Sequence, residues 1–167
     1  MEAKWNEMPK DIEWHMIGHV QTNKVKYMAH FVSLIHAVDS LKLLKEINKQ
    51  ALKNNRIINC LLQMKIAEED SKYGMTETDL HTLLTSEEVQ SFQNTNIVGL
   101  MGMASFTDNM EQVSAEFQKL KTYYDELKEA YQFDILSIGM SGDYQLAIEN
   151  GSTMIRVGSK IFGERIY

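Results

Sequence analysis

The chain of 167 residues carries 17 Lys and Arg against 23 Asp and Glu, which gives a formal net charge of −6. This balance argues against nucleic acid or an anionic membrane as the main partner, because both attract basic surfaces. A single cysteine excludes a disulfide framework, and the sequence shows neither a charged-then-apolar leader nor an apolar stretch of about 18 residues, so we expect a cytoplasmic protein.

The first half of the chain alternates helices with apolar, strand-like runs. We predict helices at residues 2–7, 24–31 and 40–53. We predict strands at residues 12–17, 32–38 and 57–64. Pro9 breaks the first helix, and Asp39 or Ser40 can cap the third. Cys60 lies within the third strand, where we expect it to be a small buried hydrophobe.

The second half continues the same alternation. We predict helices at residues 76–92, 110–131 and 143–150, and a final helical turn after residue 158. We predict strands at residues 96–103, 133–138 and 153–157. Thr76 and Asp79 have the spacing of a capping box at a helix start. Gly99 and Gly102 mark places in the fourth strand where neighbouring segments can approach closely.

Regular alternation of strands and helices implies a parallel sheet with helical crossovers. Both a doubly wound open sheet and a (β/α)8 TIM-barrel fit this alternation. A barrel often binds phosphate in the loops after its last two strands, but it needs eight strands, and only six are predicted here. The hydrophobic content of 44% suffices for one core, so we expect a single domain over residues 1–167.

Each of the last two strands ends in glycine and a small hydroxyl residue just before a helix. After the fifth strand come Ser141 and Gly142, then a helix that Asp143 can cap and that Gly151 can end in the left-handed conformation. After the sixth strand come Gly158 and Ser159. Glycine lets a phosphate approach the backbone, helix N–H groups point at the anion, and serine adds a hydroxyl donor. Two ordinary strand-to-helix turns would show the same residues.

Arg156 lies two residues before Gly158, so the alternation of a strand puts both on one face. An arginine in an apolar strand needs hydrogen-bond acceptors. The sequence offers no obvious carboxylate beside it. Arg156 is therefore a second indication that the end of the sixth strand takes part in a binding site.

Several motifs, taken together, resemble the YggS/PROSC family of pyridoxal phosphate homeostasis proteins, which share the barrel of alanine racemase. They are Gly-Met-Ser at 139–141, Ala-Ile-Glu-Asn-Gly at 147–151, Met-Ile-Arg-Val-Gly at 154–158, Ile-Phe-Gly-Glu-Arg at 161–165 and Trp-His-Met-Ile-Gly-His-Val-Gln-Thr-Asn-Lys at 14–24. The resemblance covers nearly the whole chain. It implies the TIM-barrel of fold type III among pyridoxal 5'-phosphate (PLP) proteins.

The resemblance also implies a set of cofactor contacts. Those to the phosphate and the pyridine ring fall on Ser141, Gly158, Ser159, Arg156 and Met140. Arg156 would face the ring nitrogen, and Met140 would pack against the ring edge or simply in the core. His19 and Asn23 follow the first strand and so lie on the catalytic rim of a barrel, where either a cofactor contact or a structural cap is open to them.

Two family motifs do not occur in this sequence: the Val-Ser-Lys motif with the Schiff-base lysine, and the Gly-Glu-Asn motif of the next strand. The resemblance therefore implies a chain that lacks about the first two β–α units and has no catalytic residue of its own. Lys24 could replace the lysine. The two outermost strands would lose their hydrogen-bond partners, so we expect self-association through open barrel edges.

The function that the resemblance implies is PLP binding in intracellular PLP homeostasis, with other PLP enzymes as recipients. A cation at the ring nitrogen disfavours its protonation and makes a poor electron sink, which fits a carrier better than a strong catalyst. The alternatives are an amino-acid racemase of the same barrel, which needs a second acid/base from another domain, and a remnant that no longer binds PLP.

Two further groups of residues carry weaker indications. Glu68, Glu69 and Lys72 resemble a rim loop of the family, although alone they are typical of a solvated charge cluster. His15 and His36 alternate within apolar strands, and neither has a carboxylate or cysteine at ligand spacing. We expect both to be core or barrel-mouth residues and assign no metal site.

Overall fold

Six strands form one parallel sheet, and their order in the sheet is their order in the chain. They are β1 Trp14–Met16, β2 Val32–Val38, β3 Ile58–Met64, β4 Thr95–Gly102, β5 Ile135–Met140 and β6 Met154–Arg156. The computed structural model describes residues 1–68 and 73–163. A doubly wound sheet reverses its strand order at a switch point. The sequential order found here excludes that alternative.

The sheet is strongly curved. Strands β2 and β5 are separated in it by β3 and β4, so they would lie about 14 Å apart in a flat sheet. Nevertheless, the side chain of His36 on β2 reaches that of Ser137 on β5, with 3.0 Å between Nδ1 and Oγ. The inner faces of the two strands must therefore turn toward each other. The six strands form a half-barrel.

Seven α-helices and one 3₁₀ helix, Thr22–Tyr27, connect or flank the strands in the described residues. The α-helices are α1 Glu2–Glu7, α2 Leu41–Lys53, α3 Glu77–Leu84, α4 Glu87–Gln90, α5 Met110–Tyr131, α6 Tyr144–Glu149 and α7 Ser159–Phe162. Ser40 caps α2 through its hydroxyl, and Thr76 and Asp79 form the expected capping box on α3.

The structure corrects four local predictions. Residues 76–92 form two helices, because Thr85 ends α3 by donating its hydroxyl proton to the carbonyl of His81. Residues 24–31 form no α-helix, and the 3₁₀ helix lies there instead. Asp143 does not cap α6 through its side chain, because its carboxylate accepts the amide of Met140. The outer strands β1 and β6 are three residues long, since each has one neighbour in the described sheet.

Apolar side chains fill both faces of the sheet. The larger core packs one face against the helices. Cys60 is fully buried in this core, as expected for a small hydrophobe. Burial raises the pKa of its thiol. The smaller core lies on the opposite face. Its members are Leu34, Ala37, Leu61 and Met101, with the partly buried Val98, Met103, Ile135 and Met154 around them. Polar residues on this second face are therefore in an apolar surrounding.

Glu116 of α5 connects two loops at the carboxyl edge of the sheet. Its carboxylate accepts the amide of Ser105 after β4 (2.6 Å), the Ser105 hydroxyl (2.6 Å) and the amide of Glu68 after β3 (3.3 Å). Burial would raise the pKa of Glu116, but the hydrogen bonds from Ser105, Glu68 and Gln112 outweigh it and lower that pKa. The ionised side chain thus holds the ends of β3 and β4 together.

Gly99 allows β4 and β5 to approach closely, as predicted. A Cβ atom at this position would lie 1.8 Å from the carbonyl oxygen of Ile135 on β5. That oxygen belongs to the backbone of a paired strand and cannot move without breaking the ladder. At Gly102 an added Cβ would lie 2.7 Å from the side chains of Ile66 and Leu120.

We predict that Gly99→Ala lowers the free energy of unfolding by about 3 kcal/mol or more, the upper end for overpacked sites, because β4 and β5 must separate. Urea denaturation followed by circular dichroism measures the change. Gly142→Ala is the control, since an added Cβ there has no atom within 4 Å, and we expect a change within about 0.5 kcal/mol. Equal midpoints for the two variants would contradict the prediction.

We predict that Glu116→Gln lowers the free energy of unfolding by about 2 kcal/mol at pH 7, because charge-assisted hydrogen bonds to the two loops are lost. The folded pKa of Glu116 lies below the unfolded value, so this stabilisation is complete above about pH 4.3 and disappears as the pH falls through the folded pKa. Denaturation curves at pH 7 and at pH 3 measure whether the free energies of unfolding of wild type and Glu116→Gln converge at low pH.

Glu111→Gln provides the matched control, because Glu111 is exposed on the same helix. We expect it to change stability by less than about 0.5 kcal/mol at either pH. A difference between wild type and Glu116→Gln that stays constant down to pH 3 would show that the carboxylate charge is not responsible.

Candidate functional site

The turns that follow β5 and β6 meet at the carboxyl edge of the sheet. The hydroxyl oxygen of Ser141 accepts the backbone amide of Gly158 at 3.1 Å and that of Lys160 at 3.4 Å. These three groups are partly or fully exposed. A Cβ atom at Gly158 would find open space within 4 Å. One hydroxyl and two amides therefore converge at a point that a ligand can reach from solvent.

The turn that carries Ser141 is held by local contacts. The amide of Met140 donates to the carboxylate of Asp143 at 2.5 Å, and the amide of Asp143 donates back to the carbonyl of Met140 at 3.2 Å. Gly139 has φ +91, and a Cβ there would lie 2.4 Å from the Cβ of Ala147 in α6. These contacts fix the position of the Ser141 hydroxyl relative to β6.

Arg156 points into the second face of the sheet and binds main-chain and hydroxyl oxygens. Its Nη1 donates to both the carbonyl and the hydroxyl oxygen of Ser137, each at 2.8 Å, and its Nη2 donates to the carbonyl of Gly102 at 3.0 Å. Burial lowers the pKa of Arg156 to about 10, and the carboxylate of Asp143 acts in the opposite direction. The guanidinium is therefore a fixed cation at neutral pH.

A groove of about 440 Å³ adjoins this arginine at the mouth of the half-barrel. Side chains of β1, β2 and β6 line it, together with Gly158. The lining residues are His15, Ile17, His36, Met154, Ile155, Arg156, Val157 and Gly158. The groove thus connects the partly buried cation of Arg156 with the backbone amide of Gly158, which contacts Ser141. Met140 pairs in register with Arg156 and is 38% exposed beside it.

Other predicted site residues lie elsewhere on the rim. His19 is 3.4 Å from the carboxylate of Asp39, and its ring stacks on Tyr73 with 4.3 Å between centroids. Asn23 is exposed in the 3₁₀ helix. Lys24 lines a different cavity. Glu69 and Lys72 lie outside the described residues, as do the last two residues of the 161–165 motif.

The polar groups around Arg156 were not predicted from the sequence. Ser137 is fully buried and His36 is 1% exposed, and both lie in otherwise apolar strands. A polar residue in such a strand needs a hydrogen-bond partner, and that was the available signal. His36 contacts Ser137 and not Arg156, and the other residue that accepts from Arg156 is Gly102. It accepts through its backbone carbonyl, which leaves no trace in the sequence because every residue has one.

Residues 1–68 and 73–163 contain neither a metal-binding cluster nor a membrane-spanning helix. Among these residues, no group of three or more His, Cys, Asp and Glu side chains is placed to hold a metal ion. None of the helices in the same part of the chain has the length and apolar character needed to cross a membrane.

Comparison with known proteins identifies the family of this chain. The family model for the alanine racemase N-terminal domain matches residues 6–166. The pyridoxal phosphate homeostasis protein of Aquifex aeolicus is 41% identical over 94% of this chain and 69% of its own length. The mouse protein of that name is 38% identical over 94% of this chain and 60% of its own length.

Solved structures show the same relationship. PipY of Synechococcus elongatus, determined with PLP bound, is 31% identical, covers 97% of this chain and 75% of its own, and superposes with a TM-score of 0.84. An alanine racemase of Clostridium difficile shares the fold, with 15% identity, a TM-score of 0.76, and coverage of 99% of this chain and 46% of its own.

The chain belongs to the alanine racemase N-terminal domain family, whose fold the half-barrel shares. Within that family the chain is a member of the pyridoxal phosphate homeostasis proteins, which confirms the resemblance of its motifs. The chain spans between 60% and 69% of the length of these curated relatives.

Proposed function

We propose that this chain binds PLP at the carboxyl edge of the half-barrel and serves PLP homeostasis as a carrier. The observation that carries the proposal is the convergence of the Ser141 hydroxyl with the amides of Gly158 and Lys160, next to the partly buried guanidinium of Arg156. The names of the relatives and the PLP bound to PipY support the same ligand.

In this proposal Ser141, Gly158 and Ser159 bind the phosphate. The amides of Gly158 and Lys160 already point at one acceptor, and a phosphate oxygen is a stronger acceptor than a hydroxyl oxygen. The Ser141 hydroxyl can then turn and donate to the same anion. The open space at Gly158 lets the phosphate approach the backbone, and the charge of Lys160 adds attraction.

Arg156 is proposed to face the pyridine nitrogen. Ser137 and Gly102 accept three of its N–H groups and leave the others for a ligand in the groove. A fixed cation there opposes protonation of the ring nitrogen, which suits storage of the cofactor better than carbanion chemistry. When bound, PLP would supply an aldehyde and an electron-accepting ring, and we assign no catalytic residue in this chain.

The remaining predicted contacts differ in their support. Met140 is proposed to lie at the ring edge, because it pairs with Arg156 and is accessible. His19 has partners in Asp39 and Tyr73, so its contact with the cofactor, like that of Asn23, stays a prediction.

We further propose that the six strands represent six of the eight of a (β/α)8 barrel, with the whole chain as one domain. Their sequential parallel order and the curvature that brings His36 to Ser137 support this interpretation. The accessible groove would let PLP leave toward recipient enzymes.

We predict that the chain binds PLP and that Ser141→Ala weakens binding about tenfold, because one hydrogen bond to a charged phosphate is lost. Gly158→Val should weaken it more, since the side chain fills the space proposed for the phosphate. Arg156→Lys should also weaken it, because lysine cannot reproduce the fixed guanidinium. Equilibrium dialysis with PLP, after a circular dichroism check of folding, measures these affinities.

Ser91→Ala is the control, because Ser91 is an exposed serine in the loop after α4 whose hydroxyl contacts only the carbonyl of Glu88 among the described residues. Pyridoxal, which lacks the phosphate, should bind much more weakly than PLP, and inorganic phosphate should compete. The phosphate assignment fails if pyridoxal binds as well as PLP or if Gly158→Val retains wild-type affinity.

We also propose that the outer strands β1 and β6 lead to self-association, since each has only one neighbour among the described strands and leaves backbone groups open to pairing. Ile12→Lys places a charge next to β1 and should shift sedimentation toward the monomer. Ile57→Lys is the control, because this exposed isoleucine precedes β3, which has two neighbours. A wild-type chain that sediments as a monomer at every concentration would contradict the proposal.

A further inference from the structure

Four polar side chains form a continuous row across the inner face of the half-barrel. Arg156 Nη1 lies 2.8 Å from Ser137 Oγ, Ser137 Oγ lies 3.0 Å from His36 Nδ1, and His36 Nε2 lies 3.3 Å from His15 Nδ1. The row joins β6, β5, β2 and β1. Two of its members, Ser137 and His36, are at most 1% exposed, so their hydrogen bonds must be satisfied within the protein.

The arginine sets the direction of the first two hydrogen bonds. A guanidinium can only donate, so the Ser137 oxygen accepts from Arg156. The single hydroxyl proton of Ser137 then needs an acceptor of its own, and His36 Nδ1 is the one the described residues provide. His36 Nδ1 must therefore be unprotonated.

The same reasoning determines which ring nitrogen carries the proton in each of the two histidines. Burial, with Arg156 and His15 acting in the same direction, lowers the pKa of His36 to about 3, so the ring is neutral and carries its proton on Nε2. That proton can only be donated to His15 Nδ1. Burial also lowers the pKa of His15, against the opposing charge of Glu13. Neutral His15 then carries its proton on Nε2.

We propose that Arg156, Ser137, His36 and His15 form one hydrogen-bond chain with a single proton order, in which Ser137 and His36 are positioning residues and His15 donates Nε2–H to a ligand in the groove. No acceptor for His15 Nε2 is found among residues 1–68 and 73–163, and His15 lines the groove together with Arg156. The identification of that ligand as PLP rests on the proposed function, whereas the proton order does not.

The hydrogen-bond chain restricts which ligands the groove can bind. Arg156 on β6 contributes one fixed cation, and His15 on β1 contributes a neutral donor to the same groove. A ligand seated between them must offer acceptor atoms on both sides. A pyridine nitrogen without a proton and a phenolate oxygen attached to the same ring, as in PLP, meet this requirement.

The proton order can be measured on the 167-residue chain without ligand. Two-bond ¹H–¹⁵N correlation spectra of ring-labelled histidine distinguish the two neutral tautomers and the cation. We expect both His15 and His36 to show the Nε2–H tautomer at pH 7. A proton on Nδ1 of either ring overturns the proposal.

Ser137 variants test the positioning role. Ser137→Ala removes the link to Arg156, so His36 should lose its single tautomer, whereas Ser137→Thr retains the hydroxyl and should retain the tautomer. If Ser137→Ala does not fold, Ser137→Thr alone decides the point, because the loss of the His36 Nε2–H tautomer in a folded Thr variant contradicts the proposal.

His15 variants test the contact with the ligand, with PLP as the probe. His15→Asn places its amide near the position of Nδ1 and lacks a donor toward the groove, so we expect PLP affinity to fall about five- to tenfold, as for one hydrogen bond. His15→Gln places an N–H near the position of Nε2 and should stay within about twofold of wild type. Equal affinities for the two variants overturn the role of His15.

The outcomes separate the two proposals. If wild type does not bind PLP, the proposed function fails, while the tautomers of the ligand-free chain still decide the proton order. If PLP binds but the tautomers differ from those expected, the proposed function stands and the hydrogen-bond chain is refuted.

Discussion

The structure depends on a partly buried cation that must find acceptors. Arg156 offers five N–H donors and no acceptor, and in an apolar interior each unpaired donor would cost about 1–3 kcal/mol. The half-barrel meets this demand with oxygens of β4 and β5 rather than with a carboxylate. In the proposed site the cation therefore keeps its charge available to a ligand, and in the proposed hydrogen-bond chain its direction of donation sets the proton positions on Ser137 and His36.

Much of the fold was predictable because its signals are local. Apolar runs, helix caps and the capping box of Thr76 and Asp79 place most elements within a few residues. The strand order was not predictable, since doubly wound sheets and barrels share the same alternation along the chain. The division of residues 76–92 was missed because the hydroxyl of Thr85 competes with the backbone in a way that helical spacing does not show.

The candidate site, like the fold, was predictable from the sequence only where its signals are local. The meeting of Ser141 with Gly158 followed from two glycine and hydroxyl turns at the ends of neighbouring strands. The acceptors of Arg156 could not be predicted, because a backbone carbonyl such as that of Gly102 has no residue signature. The approach of His36 to Ser137 could not be predicted either, because it depends on the curvature of the whole sheet. The contacts of His19 with Asp39 and Tyr73 also join separate loops, which spacing along the chain does not reveal.

The sequential order of the strands bears on how the site comes into being during folding. His36 and Ser137 are 101 residues apart in sequence, and the polar row needs strands from both ends of the sheet. Closing so long a loop costs entropy before any contact rewards it. On the ribosome, β1 to β4 emerge and can pack while Arg156 is still unmade. A nascent or partly folded chain therefore lacks the polar row and the complete groove beside it, which form in the last stage of folding.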